Sequence, residues 1–412
     1  VNLEELRTRL GTTRPAPVVR ESAASPEAIP GGMLEQTNRG PCLVVETTRG
    51  HEEEHGSHQF MALRGLRPFR IGGVLAGIGQ DGPHLERVAY LDTETTGLGY
   101  GAGVQVFMVG IGSAEPDGFR VRQFVLRHPG EEPALLLALS EYLSGFDILV
   151  SYNGRAFDWP LLENRLILNR VPPLEAQPVH LDLLYLARRL WRARLESCGM
   201  STVEQAILGV DRGSKDVPGY VIPSLYFQFV RTGSLGLLRR ILHHNLYDIL
   251  SLAVLTAHVE RVLADPWGGT VSHAVDFYSL GRLYNALGEV DGAVACFETA
   301  LSHDLPPSIR DEAVLRLAMI EKRRSNWQMA LPLFESILDR SQFERIACVE
   351  LAKYHEHVAR EFGPAMQLTD RALRADGRLD RWPGTDRMEL LHRKRRLSGR
   401  VGNVTPGPSP PS

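Results

Sequence analysis

Apolar and polar positions follow two rhythms along the chain, and the change between them falls near Pro266. Before it, short apolar runs bounded by Gly, Asn and Asp alternate with runs of helical period. The strand patterns are 88–94 in "RVAYLDTETTGLGYG", then "VQVFMVGIGS" (104–113) and "FRVRQFVLR" (119–127). Short Gly- and Asp-containing turns between them suit an antiparallel meander. Next come helix "EEPALLLALSEYLS", strand "DILVSYN", helix "FDWPLLENRLILNR" and strand "PVHLDLLYL". A long amphipathic helix, "LGLLRRILHHNLYDILSLAVLTAHVERVL", ends near Asp265-Pro266. Three antiparallel strands followed by alternating helices and strands predict a mixed α/β sheet. Ahead of it lie a short amphipathic helix over 1–10 and a Pro-, Ala- and Ser-rich flexible linker over 11–32. "GPCLVVETTRG" and "FRIGGVLAGI" predict strands of a small N-terminal β region. Between them "HEEEHGSHQF", with His51, His55 and His58, is expected to be a solvated polar loop.

Beyond Pro266 the pattern is helical throughout, and it repeats. Leu280-Gly281, Tyr284, Ala293, Phe297 and Ala300 recur 37 residues later as Leu317-Ala318, Glu321, Ala330, Phe334 and Ile337. A weaker third copy is Leu351-Ala352, His355, Ala365, Thr369 and Ala372. Small residues at fixed offsets let paired helices approach closely, and stacked pairs share a core. The pattern resembles the tetratricopeptide repeat, whose period is about 34 residues. The expected organisation is therefore an N-terminal region (1–83), an α/β domain (84–265), helical repeats (270–380), and a basic segment with a disordered tail (381–412).

Composition excludes several classes. The chain has 412 residues, 43% hydrophobic, with a formal net charge of −3, so any polyanion must be met by local patches. Cys42, Cys198, Cys296 and Cys348 show no paired spacing, which excludes a zinc knuckle or disulfide framework and fits reduced thiols in a cytoplasmic protein. No apolar run approaches the ~20 residues of a membrane span, and "VNLEELRTRL" is not a signal peptide.

The strand ending in "LDTET" poses a chemical problem. Asp92 and Glu94 are two residues apart and share one face of an extended chain. Two like charges there require a divalent metal, a basic partner or simple exposure. Asp158 opens a predicted helix, where an acid can serve as a cap. Asp182 lies late in the last strand pattern. Asp248 falls in an apolar run of the long helix, an unusual place for a lone acid. With strand 88–94 central, strand 147–153 beside it and the long helix crossing the sheet, Asp92, Glu94, Asp158 and Asp248 converge. Two divalent cations would neutralise such a cluster, and hard oxygen ligands suit Mg²⁺ or Mn²⁺.

In order and spacing, "DTETTGL", "NGRAFDWPLL" and "HNLYD" resemble the three exonuclease motifs of the DEDD superfamily, and the YprB-like branch most closely. "TTGL…VFMVGIG", "HLDLL" and "STVEQAILGVDR…DVPGYVIP" belong to the same likeness, which covers 87–263. The resemblance implies a ribonuclease H-like fold, a mixed five-stranded sheet flanked by helices. It implies a 3′–5′ exonuclease acting on single-stranded DNA or RNA by a two-metal mechanism. Asp92, Glu94, Asp158 and Asp248 would hold the metals, and Thr95, Leu98, Asn153 and Phe157 the terminal nucleotide. Asn153 has a structural alternative as a turn residue, and Leu98 and Phe157 as core. The superfamily's general base lies four or five residues before the last acid, and both slots are histidine here: His244 and His243. On an unbroken helix the i−4 residue shares the acid's face, so His244 is the expected base and His243 the runner-up.

Nucleic acid would be met by "ARRLWRARL", with Arg188, Arg189, Arg192 and Arg194 around Trp191 as a phosphate-and-stacking surface. Arg212 and Lys215, and the basic "LHRKRRL", are further candidates. The helical repeats would recruit a protein partner. The competing expectation is a catalytically inactive nucleic-acid-binding adaptor or scaffold on the same fold.

Overall fold

The computed structural model describes residues 26–77, 87–97, 103–172, 174, 177–213, 216–338, 342–375 and 386–401. The N-terminal helix and most of the linker, Leu98, Lys215 and the C-terminal tail expected from the sequence lie outside these residues. The chain divides into two units: 1–186 with 198–264, and 187–197 with 265–412.

The first unit is built on a seven-stranded mixed sheet. Its strands are β1 (Gly32–Thr37), β2 (Gly40–Arg49), β5 (Val88–Thr95), β6 (Val106–Glu115), β7 (Gly118–Val125), β8 (Ile148–Ser151) and β9 (Val179–Asp182), in the order β1-β2-β7-β6-β5-β8-β9. β5, β6 and β7 form the antiparallel meander, while β8 and β9 run parallel to β5. The five expected strands are present, and β1 and β2 extend them, because β2 pairs antiparallel with β7 rather than standing in a separate region. A two-residue hairpin, β3 (Glu54–His55) with β4 (His58–Gln59), occupies the histidine-rich segment.

Both faces of the sheet are covered, so β6 reads as a nearly continuous apolar run. On one face lies the long helix, α6 (Leu235–Ala264). On the other, Tyr142 of α2 (Glu132–Leu143) meets Phe124, and Tyr226 of α5 (Ile222–Thr232) stacks on Phe107 with centroids 3.9 Å apart. Arg165 of α3 (Asp158–Leu168) pairs with Glu132, placing α3 against α2. Two glycines of β6 decide how closely α6 approaches. A Cβ on Gly110 would lie 2.3 Å from Oδ1 of Asn245, and one on Gly112 would lie 2.6 Å from the Ile249 side chain. Nothing larger than hydrogen fits there.

Three local expectations fail for identifiable reasons. "FRIGGVLAGI" contains a helix, α1 (Phe69–Ala76), whose N-terminal amides at Arg70 and Ile71 are accepted by Glu260 of α6. A short apolar run does not distinguish strand from buried helix. "PVHLDLLYL" is strand only to Asp182, and Leu183–Trp191 is helix α4, since Asp182 Oδ1 accepts the Leu184 amide and opens that helix. The histidine segment is not simply solvated: His55 is buried and bonded to Ser251 Oγ at 2.7 Å, and His58 Nε2 meets His258 Nδ1 at 3.0 Å.

The second unit is helical: α7 (Ala274–Leu287), α8 (Val290–Leu301), α9 (Pro307–Arg323), α10 (Trp327–Ser336), α11 (Glu344–Tyr354), α12 (Phe362–Arg374) and α13 (Arg387–Val401). The repeated small positions Gly281, Ala318 and Ala352, and Ala293, Ala330 and Ala365, are all buried. Gly281 is the tightest, since a Cβ there would meet the Phe297 ring at 2.9 Å. No helix among the described residues is long and apolar enough to cross a membrane.

Candidate acidic site

The site begins with strand register. Asp92 pairs with Gly110 on β6, and Gly110 pairs with Gln123 on β7, so these three residues form a row across the sheet. Asn245 of α6 lies over the bare backbone of Gly110. Its Nδ2 donates to Asp92 Oδ2 at 2.8 Å, and its Oδ1 accepts from Gln123 Nε2 at 2.9 Å. Gln123 also donates to the Leu242 carbonyl at 2.8 Å, so the amide that orients Asp92 is itself held in place.

Asp158 arrives at the tip of β5 from α3 and accepts a hydrogen bond from the Thr93 hydroxyl. Asp248 and His244 are one turn apart on α6, with His244 Nε2 3.3 Å from Asp248 Oδ2. Ligating atoms of Glu94, His244 and Asp248 all lie within 4.8 Å of one another. The structure thus brings Asp92, Glu94, Asp158 and Asp248 within electrostatic reach of each other. Desolvation raises Asp92 well above the ordinary carboxylate range, and the neighbouring Asp248, Glu94 and Asp158 add to it. Glu94 is raised likewise, by desolvation and then by Asp248 and Asp158. Asp158 is pushed up to about 6, chiefly by desolvation, with the Thr93 hydroxyl opposing.

The two histidines are separated by their partners. His244 Nδ1 lies 2.8 Å from Asp216 Oδ1. Ionised carboxylates only accept, so Nδ1 carries a proton toward Asp216, while Nε2 faces Asp248. Desolvation tends to raise Asp216, but the bond from His244 outweighs it and holds the carboxyl below its ordinary range. His243 turns away and stacks on Tyr247, ring centroids 4.4 Å apart.

Arg212 has a role that differs from the expected one. Its side chain is only 14% exposed and cannot form a nucleic-acid surface. The guanidinium takes Glu204 in a fork (2.5 and 2.8 Å), reaches Asp216 at 3.2 Å, and pairs with Asp248. Desolvation disfavours its charge, yet Asp248 and Glu204 more than compensate and keep it firmly protonated. Glu204 in turn hydrogen-bonds Ser251, the partner of His55. Glu204, Arg212 and Asp216 all come from "STVEQAILGVDRGSKDVPGYVIP", whose spacing alone does not reveal which charges meet. Asn245 is likewise absent from the residues that sequence singles out, and its one signal is a polar side chain in an apolar helical run, three before Asp248.

The remaining expected residues are distributed as follows. Asn153 adopts φ 66°, and its amide donates to Asp182 Oδ1 at 2.7 Å, while the Arg155 amide donates to Oδ2 at 3.2 Å. Asp182 therefore shapes the turn that leads into Asp158. Phe157 is 46% exposed, which overturns its core alternative and leaves an aromatic face beside Asp158. Thr95 sits at a register shift of β5 and donates to the Gly97 carbonyl at 2.9 Å. Leu98 lies outside the described residues. Trp191 is 3% exposed, so it offers no stacking surface, and Arg194 is taken by Asp276 in a fork with both bonds at 2.9 Å. In "LHRKRRL", Arg393 and Arg396 are tied to the buried Glu356 and Lys394 to Asp370.

The donor set fits hard divalent cations. Six carboxylates share the region with one guanidinium, and four of them, Asp92, Glu94, Asp158 and Glu204, are raised, chiefly by desolvation and then by their like-charged neighbours. A family model described as the RNase_H superfamily matches residues 89–260. The chain is 36% identical over 340 residues to a protein of Bacillus subtilis (strain 168) described as the uncharacterized protein YprB, covering 81% of this chain and 80% of that one.

Proposed function

The chain belongs to the RNase H superfamily and to the family of YprB, and on that premise we propose that it is a 3′–5′ exonuclease of the DEDD type acting on single-stranded DNA or RNA. The observation that carries this reading is the gathering of Asp92, Glu94, Asp158 and Asp248 from β5, α3 and α6 into one electrostatically coupled group. Mg²⁺ or Mn²⁺ bound by these four would neutralise the group, promote ionisation of water and stabilise the leaving oxygen.

The chain's own residues supply the rest. His244 accepts the proton of the attacking water at Nε2, and Asp216 fixes the tautomer through Nδ1 and stabilises the imidazolium that forms. The water oxygen bonds to phosphorus as the bond to the 3′ oxygen of the preceding nucleotide breaks. The products are a nucleoside 5′-monophosphate and a strand one nucleotide shorter. Asn245 keeps Asp92 aimed at the site while Gln123 keeps Asn245 in place. The exposed Phe157 ring would stack on the terminal base, with Thr95, Asn153 and Leu98 completing its pocket by family resemblance. The helix pairs of the second unit, which resemble tetratricopeptide repeats, would offer a surface to a protein partner.

One observation favours the alternative, an inactive adaptor. Arg212 is seated on Asp248, so a cation is already present at one of the four acids. The experiment is digestion of 5′-labelled single-stranded DNA and RNA in Mg²⁺ or Mn²⁺, beside Asp92→Asn. A ladder shortened from the 3′ end and absent with the variant supports the exonuclease. Intact substrate under every condition, with binding retained, supports the adaptor.

A further inference from the structure

The second unit holds a cleft of about 530 Å³ whose charged lining is entirely arginine: Arg188, Arg189 and Arg192 from the end of α4 and the turn after it, Arg282 from α7 and Arg316 from α9. Among the described residues no acidic one lines it. Like charges converge because of helical spacing. Arg188 and Arg192 are four apart, Arg189 and Arg192 three apart, and Arg282 stands on the same face of α7 as Asn285 and Ala286. Alanines at 193 and 286 leave the cleft open between the long side chains.

Three of the five guanidiniums have fixed neighbours, and among the described residues only Arg316 is paired with a carboxylate. Arg192 donates to the Glu196 carbonyl at 3.0 Å, Arg282 lies 5.6 Å over the Tyr278 ring, and Arg316 is clasped by Glu312 at 2.6 and 2.8 Å. Arg188 and Arg189 are exposed and have no carboxylate partner among the described residues. The C-terminal basic run is different, since several of its cations are already matched by Glu356 and Asp370. Five guanidiniums that share a single carboxylate partner repel one another in the free protein, and that repulsion is relieved by a ligand carrying several negative charges.

We propose that this cleft binds the phosphodiester backbone of a nucleic-acid strand, independently of base sequence. The planar guanidinium fork suits phosphate, and the absence of lysine from the lining points the same way. With Trp191 buried and no aromatic residue in the lining, the cleft reads charge and spacing rather than bases. The proposal deepens the exonuclease reading, on which the choice of a nucleic acid over another polyanion rests, by adding a substrate-binding surface in the second unit.

The test uses the full chain carrying Asp92→Asn, so that strands stay intact, and measures anisotropy of a labelled single-stranded oligonucleotide from 50 to 300 mM salt. Arg189→Gln with Arg282→Gln should weaken binding by roughly tenfold or more and lower the slope of log affinity against log salt by about 1.4, or about 0.7 for each phosphate no longer neutralised. Equal affinity and slope with and without the two substitutions overturns the proposal. So does displacement of the strand by polyglutamate at equal charge concentration, which would assign the cleft to an acidic protein segment. If the wild type cuts nothing while the arginine pair still governs binding, the exonuclease reading falls and the cleft stands. If cleavage is seen and binding ignores the arginines, the reverse holds.

Discussion

Asn245 on the long helix donates from Nδ2 to Oδ2 of Asp92 on the sheet at 2.8 Å, across 153 residues of chain. Its other amide atom is fixed by Gln123, so the bond orients Asp92 from a buried frame that solvent does not perturb. Asn245→Ala should leave Asp92 without this donor and weaken the apparent affinity for Mn²⁺ by about 10- to 100-fold. A Mn²⁺ titration of nuclease activity measures it. Unchanged half-saturation would remove Asn245 from the site.

The Asp216 to His244 bond separates the two adjacent histidines. Asp216→Asn replaces a group that can only accept with one that can donate, so the imidazole no longer has a reason to keep its proton on Nδ1. The expected result is a fall in kcat of about 10²-fold with little change in KM. His243→Ala, which loses a ring stacked on Tyr247, should stay within about threefold of the parent. Single-turnover rates on a labelled strand distinguish the two. Equal losses at 243 and 244 would contradict the assignment.

Stability without metal should depend on pH in a definite direction. Asp92, Glu94 and Asp158 hold protons more tightly in the fold than in the unfolded chain, so their ionisation favours unfolding. For Asp158 the penalty is absent below its ordinary value of 3.8, grows as pH rises toward about 6, and is complete above that. Its full size is on the order of 3 kcal/mol. In EDTA, Asp158→Asn should therefore gain stability relative to the parent as pH rises from 4 to 8, and Mn²⁺ should stabilise the parent but not the variant. Denaturant titrations at several pH values test this, and a gap that narrows with rising pH would reverse the account.

Close approach at β6 gives a fourth expectation. Gly110→Ala places a methyl 2.3 Å from Oδ1 of Asn245, so either the amide or the helix must move. Overpacking of this kind costs about 1–3 kcal/mol. Cleavage should fall further than stability, because Asp92 loses its aim before the fold is lost. A Gly110→Ala protein with normal turnover would show that the row across the sheet tolerates displacement.

The parts of this molecule that sequence reveals are those set by local chemistry. Strand and helix periods locate β5 to β9 and α6, and acids in apolar or strand-end positions single out Asp92, Glu94, Asp158 and Asp248. Their neighbours are set by tertiary encounter. Arg212 looks like any loop cation until Glu204 and Asp248 are seen around it, and Trp191 looks like a stacking residue until its burial is known. The segment holding α1 reads as a strand because eight residues of mixed apolar and glycine character carry too little periodicity to separate the two.

Helix α6 rests on naked peptide where it crosses β6, with the Asn245 and Ile249 side chains seated directly against positions 110 and 112. The strand beside Asp92 and the helix that carries Asp248 thus meet where β6 contributes no side chain of its own. Two small glycines, one of them beside Asp92 in the sheet, thereby gauge how near the helix and its carboxylate can come to the strand.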